Sequence, residues 1–165
     1  FRDRGIVWHF IGHLQSNKAG KVVGRFDLVH SVGSYKLAQV LHKKAEAAGI
    51  VQDILLEVNL CEEPSKSGIM PVDLREMAER AVGLSGIGIR GLMAIPPFCD
   101  AGEGARRHFA RLREMRDVLR SDLGLELMHL SMGMSADFAQ AIYEGATLVR
   151  VGTRIFGPRP VRKGN

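Results

Sequence analysis

The run TLVRVGTRIFGPR, Thr147–Arg159, brings a guanidinium, a glycine and a hydroxyl into neighbouring positions as Arg150, Gly152 and Thr153. If Thr147–Val151 is a strand, Arg150 projects to the face opposite Val149 and Val151, because side chains alternate along a strand. A guanidinium on an inward face requires partners, since burying it unpaired costs several kcal/mol. One role for it is a structural ion pair; the other is a cation that faces a ligand. Gly152 and Thr153 favour the second, because backbone amides at a glycine approach an anion closely and a hydroxyl can join them. A second run, LSMGMSADF, Leu130–Phe138, follows the preceding strand candidate. Gly133 permits a tight turn there, and Ser135 offers its hydroxyl either as a helix N-cap or to a phosphate. Asp137 opposes an anion unless its side chain turns back to bond the backbone. Taken with Gly152 and Thr153 on the next strand, the anion site is the better reading.

Three further runs place polar or special residues at other strand ends. WHFIGHLQSNK, Trp8–Lys18, carries His9 between two aromatic residues, where a histidine is more often a satisfied core residue than a ligand. Gln15, Asn17 and Lys18 then open a helix. EVNLCEEPSKSGI, Glu57–Ile69, closes a strand with Asn59 and holds Lys66, Ser67 and Gly68 in the loop beyond. RGLMAIPP, Arg90–Pro97, brings Met93 near a strand end. No nucleophilic triad and no P-loop is present. His9, His13, His30, His42, His108 and His129 show no metal-ligand spacing, so no metal is expected.

The elements that must position these residues alternate regularly. Strands are predicted at Val7–Ile11, Leu28–Val32, Ile54–Leu60, Ile89–Ile95, Leu127–Leu130 and Thr147–Val151. Most are apolar throughout, as strands covered on both faces are. Helices are predicted over Ser34–Ala48, with Ser34 as N-cap and Gly49 as the stop, over Pro71–Leu84, over Ala105–Arg120 and over Ser135–Glu144. Strand–helix alternation implies parallel β-α units, in an open doubly wound sheet or a closed barrel. The open sheet would carry a glycine-rich dinucleotide loop after its first strand, and none occurs. Special residues at the C-terminal ends of several strands are how a (β/α)8 barrel builds its site. Six such units, and a chain that opens on Phe1 and enters a strand-like segment within a few residues, read as a cut barrel.

The 165 residues suit a single domain spanning 1–165. Hydrophobic residues make up 45% and charged residues 25%, the balance of a globular protein. No apolar stretch approaches the ~20 residues of a membrane span. No secretory signal is apparent, and Cys61 and Cys99 lie far apart, which points to the cytoplasm. The net charge of +5 is not gathered into a nucleic-acid motif. Its densest run, Arg159–Lys163, reads as a solvated tail.

The segments WHFIGHLQSNK, NLCEEPSKSGI, RGLMAIP, LSMGMSADFAQAI and VRVGTRIFG, in this order, resemble the pyridoxal-phosphate homeostasis protein family from about Val7 to Gly157. The resemblance implies a barrel similar to the N-terminal domain of alanine racemase that binds pyridoxal 5′-phosphate (PLP). It implies a non-catalytic carrier that serves PLP homeostasis, with PLP-dependent apoenzymes as recipients. By position, Ser135, Gly152 and Thr153 would hold the phosphate, Arg150 would face the pyridine nitrogen, and Met134 and Asn59 would line the pocket. The family carries its cofactor lysine in a V-S-K type segment on the first strand and a G-E-N segment on the second. Neither occurs here, so the chain is expected to start at the third strand of the family's barrel. Lys36, Lys18 and Lys66 belong to other segments. The enzymatic alternative is a PLP-dependent amino-acid racemase, which needs a second acid/base, commonly a tyrosine; Tyr35 and Tyr143 both fall in helical stretches. A binding module using the basic surface would leave the strand-end motifs unexplained.

Overall fold

The computed structural model describes residues 4–63, 65–97 and 102–158. Cys99 and the basic run Arg159–Lys163 lie outside them. Six strands form one sheet in chain order, β1 (His9–Phe10), β2 (Leu28–Val32), β3 (Gln52–Val58), β4 (Ile87–Ala94), β5 (His129–Met134) and β6 (Leu148–Arg150). Every neighbouring pair is parallel. Sequential order with no reversal is the β-α barrel pattern; a doubly wound sheet would reverse its order at a switch point.

Helices α1 (Tyr35–Ala47), α2 (Leu74–Val82), α3 (Arg106–Leu123), α4 (Phe138–Tyr143) and α5 (Thr153–Phe156) complete the units. The predicted N-cap of α1 is present: Ser34 accepts a hydrogen bond from the Leu37 amide at 3.3 Å. The predicted start of α2 is instead a 3₁₀ turn over Pro71–Asp73, closed by bonds three residues apart from the Asp73 amide to the Met70 carbonyl and from the Leu74 amide to the Pro71 carbonyl. The helix expected from Ser135 begins three residues later, at Phe138, since Ser135–Asp137 form a turn. Gly133 adopts φ 88°, the left-handed region that this turn requires.

The sheet is strongly curled. Neighbouring strands lie about 4.8 Å apart, so a flat sheet would hold β2 and β5 about 14 Å from one another. Yet His30 on β2 meets Ser131 on β5 at 2.8 Å. Only side chains on a concave face can close that gap. The convex face carries the main core, with Val29, Ile54, Leu56, Leu92, Leu130 and Met132 packed under Leu41, Ala78, Phe109 and Leu112 of the helices. The concave face has an apolar floor of Leu28, Leu55 and Met93, with Leu148 packed against it. Polar residues sit two positions further along the same strands: His30 after Leu28, Glu57 after Leu55, Arg150 after Leu148. Among the described residues β1 and β6 each pair with one strand. Exposed apolar groups gather near both, with Trp8 and Ile11 at one edge and Val149 and Phe156 at the other.

The curl depends on close approach of β4 and β5. A Cβ on Gly91 would lie 1.9 Å from the carbonyl oxygen of His129. Gly91→Ala is therefore expected to lower folding stability by about 2 kcal/mol or more. Urea midpoints of the variant and the parent chain check this; equal midpoints would mean that the strands can separate without cost.

Candidate functional site

The candidate site lies at the C-terminal ends of β4, β5 and β6. Its centre is Arg150. The Nη1 group donates to the Ser131 carbonyl at 2.9 Å and to Ser131 Oγ at 2.7 Å, while Nη2 donates to the Ala94 carbonyl at 2.9 Å. These acceptors are neutral, so the ion-pair role does not describe the contacts the guanidinium makes. Burial pulls its pKa down to about 10, against the opposing pull of the Asp137 and Glu57 carboxylates. At neutral pH the group remains cationic.

Beside Arg150, the chain turns from β6 into α5. The first amides of a helix have no partner within it. Two of them, from Gly152 and Arg154, point at Ser135 Oγ from 3.3 and 3.5 Å. Both contacts are longer than a good N–H···O bond, so a stronger acceptor would win these donors. A Cβ on Gly152 would meet nothing within 4 Å, which leaves open space on that side. Thr153 opens α5 at the exposed rim. The structure thus brings Ser135 to the Gly152 amide, with Thr153 next in the chain, and Ser135 acts across the gap between strands and not as the cap of α4. Asp137 turns back, accepting from the Met134 amide at 2.7 Å, so its charge is directed into the turn.

Two predicted pocket residues stand differently. Met134 ends β5 in register with Arg150. Asn59 is 4% exposed, and its amide group donates to the Glu63 carbonyl at 2.8 Å. It pins its own loop, and its Oδ1 is buried without a hydrogen-bond partner. Asn59 nevertheless lines a cavity of about 460 Å³ with Glu57, Lys66, Ser67 and Ile95. Burial raises the pKa of Glu57, while His13 and Arg150 draw it down.

The sequence did not reveal the polar row that runs from Arg150 across the concave face. Ser131 Oγ meets His30 Nδ1 at 2.8 Å, and His30 Nε2 meets His9 Nδ1 at 3.0 Å. His30 is 1% exposed, and burial, with His9, Arg150 and His129 nearby, pushes its pKa down to about 3. The available signal was a histidine in the middle of a predicted buried strand, LVHSV. Among the described residues no group of three or more His, Cys, Asp or Glu could hold a metal ion.

Residues 2–160 match the model of the family described as alanine racemase, N-terminal domain. The chain belongs to this family. Within it, the chain is 46% identical over 158 residues to the pyridoxal phosphate homeostasis protein of Aquifex aeolicus, covering 96% of this chain and 69% of that one. It is 47% identical over 159 residues to the protein of the same name from Pseudomonas aeruginosa, covering 95% of this chain and 66% of that one. The chain therefore spans about two thirds of the length of these relatives. PipY of Synechococcus elongatus, solved with PLP bound, superposes with a TM-score of 0.85 at 40% identity, over 92% of this chain and 71% of PipY. An alanine racemase of Clostridium difficile shares the fold, with a TM-score of 0.72 at 17% identity, over 98% of this chain and 42% of the racemase. The barrel arc of the alanine racemase N-terminal domain family is thus the architecture that holds Arg150.

The low pKa of His30 ties stability to pH. Below its unfolded value of 6.5 the unfolded chain binds a proton that the folded chain refuses until about pH 3. Stability then falls as pH falls through that window, by up to roughly 1.4 kcal/mol per pH unit from this group. Urea midpoints at pH 7, 5.5 and 4.5 should fall more steeply for the parent chain than for His30→Asn. Parallel slopes would show that folding does not lower the His30 pKa.

Proposed function

We propose that this chain binds PLP and serves as a non-catalytic carrier in cytoplasmic PLP homeostasis, acting as one barrel domain over residues 1–165. The observation that carries this reading is the convergence of the Gly152 and Arg154 amides on Ser135 Oγ, at 3.3 and 3.5 Å, beside open space and a fixed cation. The donor set fits a phosphate monoester. Ser135, Gly152 and Thr153 would hold the phosphate, Arg150 would face the pyridine nitrogen, and Met134 and Asn59 would line the pocket. The resemblance to PipY with PLP bound supports the same ligand here.

PLP supplies an electron-withdrawing ring when bound. Arg150 limits that property, because a protonated guanidinium does not leave a proton on the ring nitrogen. A weak electron sink favours holding and handing over the cofactor above turnover, and PLP-dependent apoenzymes are the natural recipients. A racemase would need a second acid/base in the cup. The sequence has two tyrosines. Tyr35 lies under the Arg80 guanidinium at 4.0 Å, and Tyr143 is 80% exposed on α4. Neither arrangement supplies that group. No helix among the described residues is long and apolar enough to cross a membrane.

An absorbance titration of the chain with PLP tests the reading. Saturable binding is expected, with pyridoxal, which lacks the phosphate, binding at least about tenfold more weakly. Ser135→Ala should weaken PLP binding by about tenfold and leave pyridoxal binding nearly unchanged. Equal affinity for PLP and pyridoxal would overturn the phosphate cup.

A further inference from the structure

We propose that His30 and His9 are positioning residues for Arg150, which they hold in place through Ser131 by a hydrogen-bonded chain that runs in one direction only. The inference rests on the reading that Arg150 faces the PLP ring.

The direction follows from the chemistry of arginine, which donates and never accepts. Ser131 Oγ, 2.7 Å from Nη1, is therefore an acceptor toward Arg150. Its own hydrogen is then available to His30 Nδ1 at 2.8 Å, and the row assigns that nitrogen as the unprotonated one, so that the hydroxyl keeps an acceptor for its hydrogen. His30 carries its proton on Nε2 and donates it to His9 Nδ1 at 3.0 Å. His9 in turn carries its proton on Nε2. Every hydrogen from β6 to β1 is thus placed by a single end group. Each link also polarises the next, which strengthens the row beyond its separate bonds.

A doubly protonated His30 would turn Nδ1 into a donor. Ser131 Oγ would then receive two donors, its own hydrogen would lose its acceptor, and a second cation would stand beside Arg150. The charged groups around the row are named by the same environment: Asp27 and His129 act on His9, His129 and Arg150 act on His30, and Asp137 and Glu57 act on Arg150. No carboxylate intervenes in the chain itself. His30 and Ser131 are both almost fully buried, at 1% and 0% exposure, so water does not compete for the bond between them. An arginine side chain is long and rich in rotamers, and the row removes that freedom before a ligand arrives.

Nitrogen-15 NMR of the full chain without ligand tests the row directly. At pH 7 and pH 5, His30 should be the Nε2–H tautomer, and Arg150 should show separate Nη signals from hindered rotation, assigned by their loss in Arg150→Lys. His30→Leu removes the acceptor for Ser131 and should collapse the Arg150 signals to an average. His30→Asn places an amide oxygen where Nδ1 stood and should retain them. On addition of PLP, His30→Leu should bind about tenfold more weakly than the parent chain, and His30→Asn within about threefold of it. An Nδ1–H tautomer at His30, or unchanged Arg150 signals in His30→Leu, would overturn the proposal. Should His30→Leu fail to fold, the tautomer in the parent chain decides. If the parent chain shows the row but binds no PLP, the cofactor reading fails and the positioning of Arg150 stands.

Discussion

The rest of the site depends on how one buried cation is accommodated. Arg150 sits on a concave face whose floor is Leu28, Leu55 and Met93, where a charge is poorly solvated. Among the described residues no carboxylate is in contact with it. It is held by the carbonyls of Ala94 and Ser131 and by the Ser131 hydroxyl. Those groups belong to β4 and β5, so the ends of β4, β5 and β6 must converge for the charge to be tolerated. Convergence brings the β5–α4 turn against the start of α5, and the Ser135 hydroxyl against the amides of Gly152 and Arg154. The cup is thus a geometrical consequence of satisfying the arginine.

The layering of the concave face separates stability from chemistry. On β2, β3 and β6 an apolar side chain of the floor, Leu28, Leu55 or Leu148, is followed two positions later by a polar one nearer the C-terminal end, His30, Glu57 or Arg150. This is the division by which barrels keep a packed interior and still present a site at one end. It also explains the electrostatic balance there. Asp137 is directed into its own turn by the Met134 amide, which leaves the mouth of the cup to amides and a hydroxyl. Glu57, on β3, is drawn toward its protonated form by burial, against the opposing pull of His13 and Arg150. Both features reduce the cost of bringing a phosphate close.

Much of this was legible in the residues. Alternation of apolar runs with 3.6-residue periodicity gave six parallel units, and β2 was predicted with its observed ends. Boundaries shifted where local chemistry competed: β5 runs on to Met134 because its glycine-containing end still pairs with β6, and α4 waits until Phe138 because Gly133 and Asp137 build a turn first. The partnership of Ser135 with Gly152 was anticipated from two motifs on adjacent strands. The role of Asn59 was harder, because its amide serves the loop from Glu63 to Met70, and that loop's path cannot be read from spacing. The His9–His30–Ser131 row was invisible for a different reason. His9 and His30 lie on the neighbouring strands β1 and β2, but Ser131 lies on β5, and only the curvature of the sheet brings it to them.

That curvature gives the row a structural meaning beyond the site. Ser131 and His30 are separated by 101 positions in the chain, and Arg150 and Ala94 by 56. Contacts of such separation form only after the intervening β-α units are in place, because the loops they close are long. The cup's backbone, by contrast, comes from Ser135 to Phe156, a short segment that can assemble locally. Arg150 belongs to both: its backbone lies in the local segment, while its guanidinium is fixed by β4 and, through Ser131, by β2 and β1. The turn at Ser135 and the start of α5 can therefore exist before the sheet is complete, but the cation beside them is held only by the fully curled sheet. Binding that requires both would report on the integrity of the whole arc, from His9 to Arg150, although the ligand itself would touch mainly one end of it.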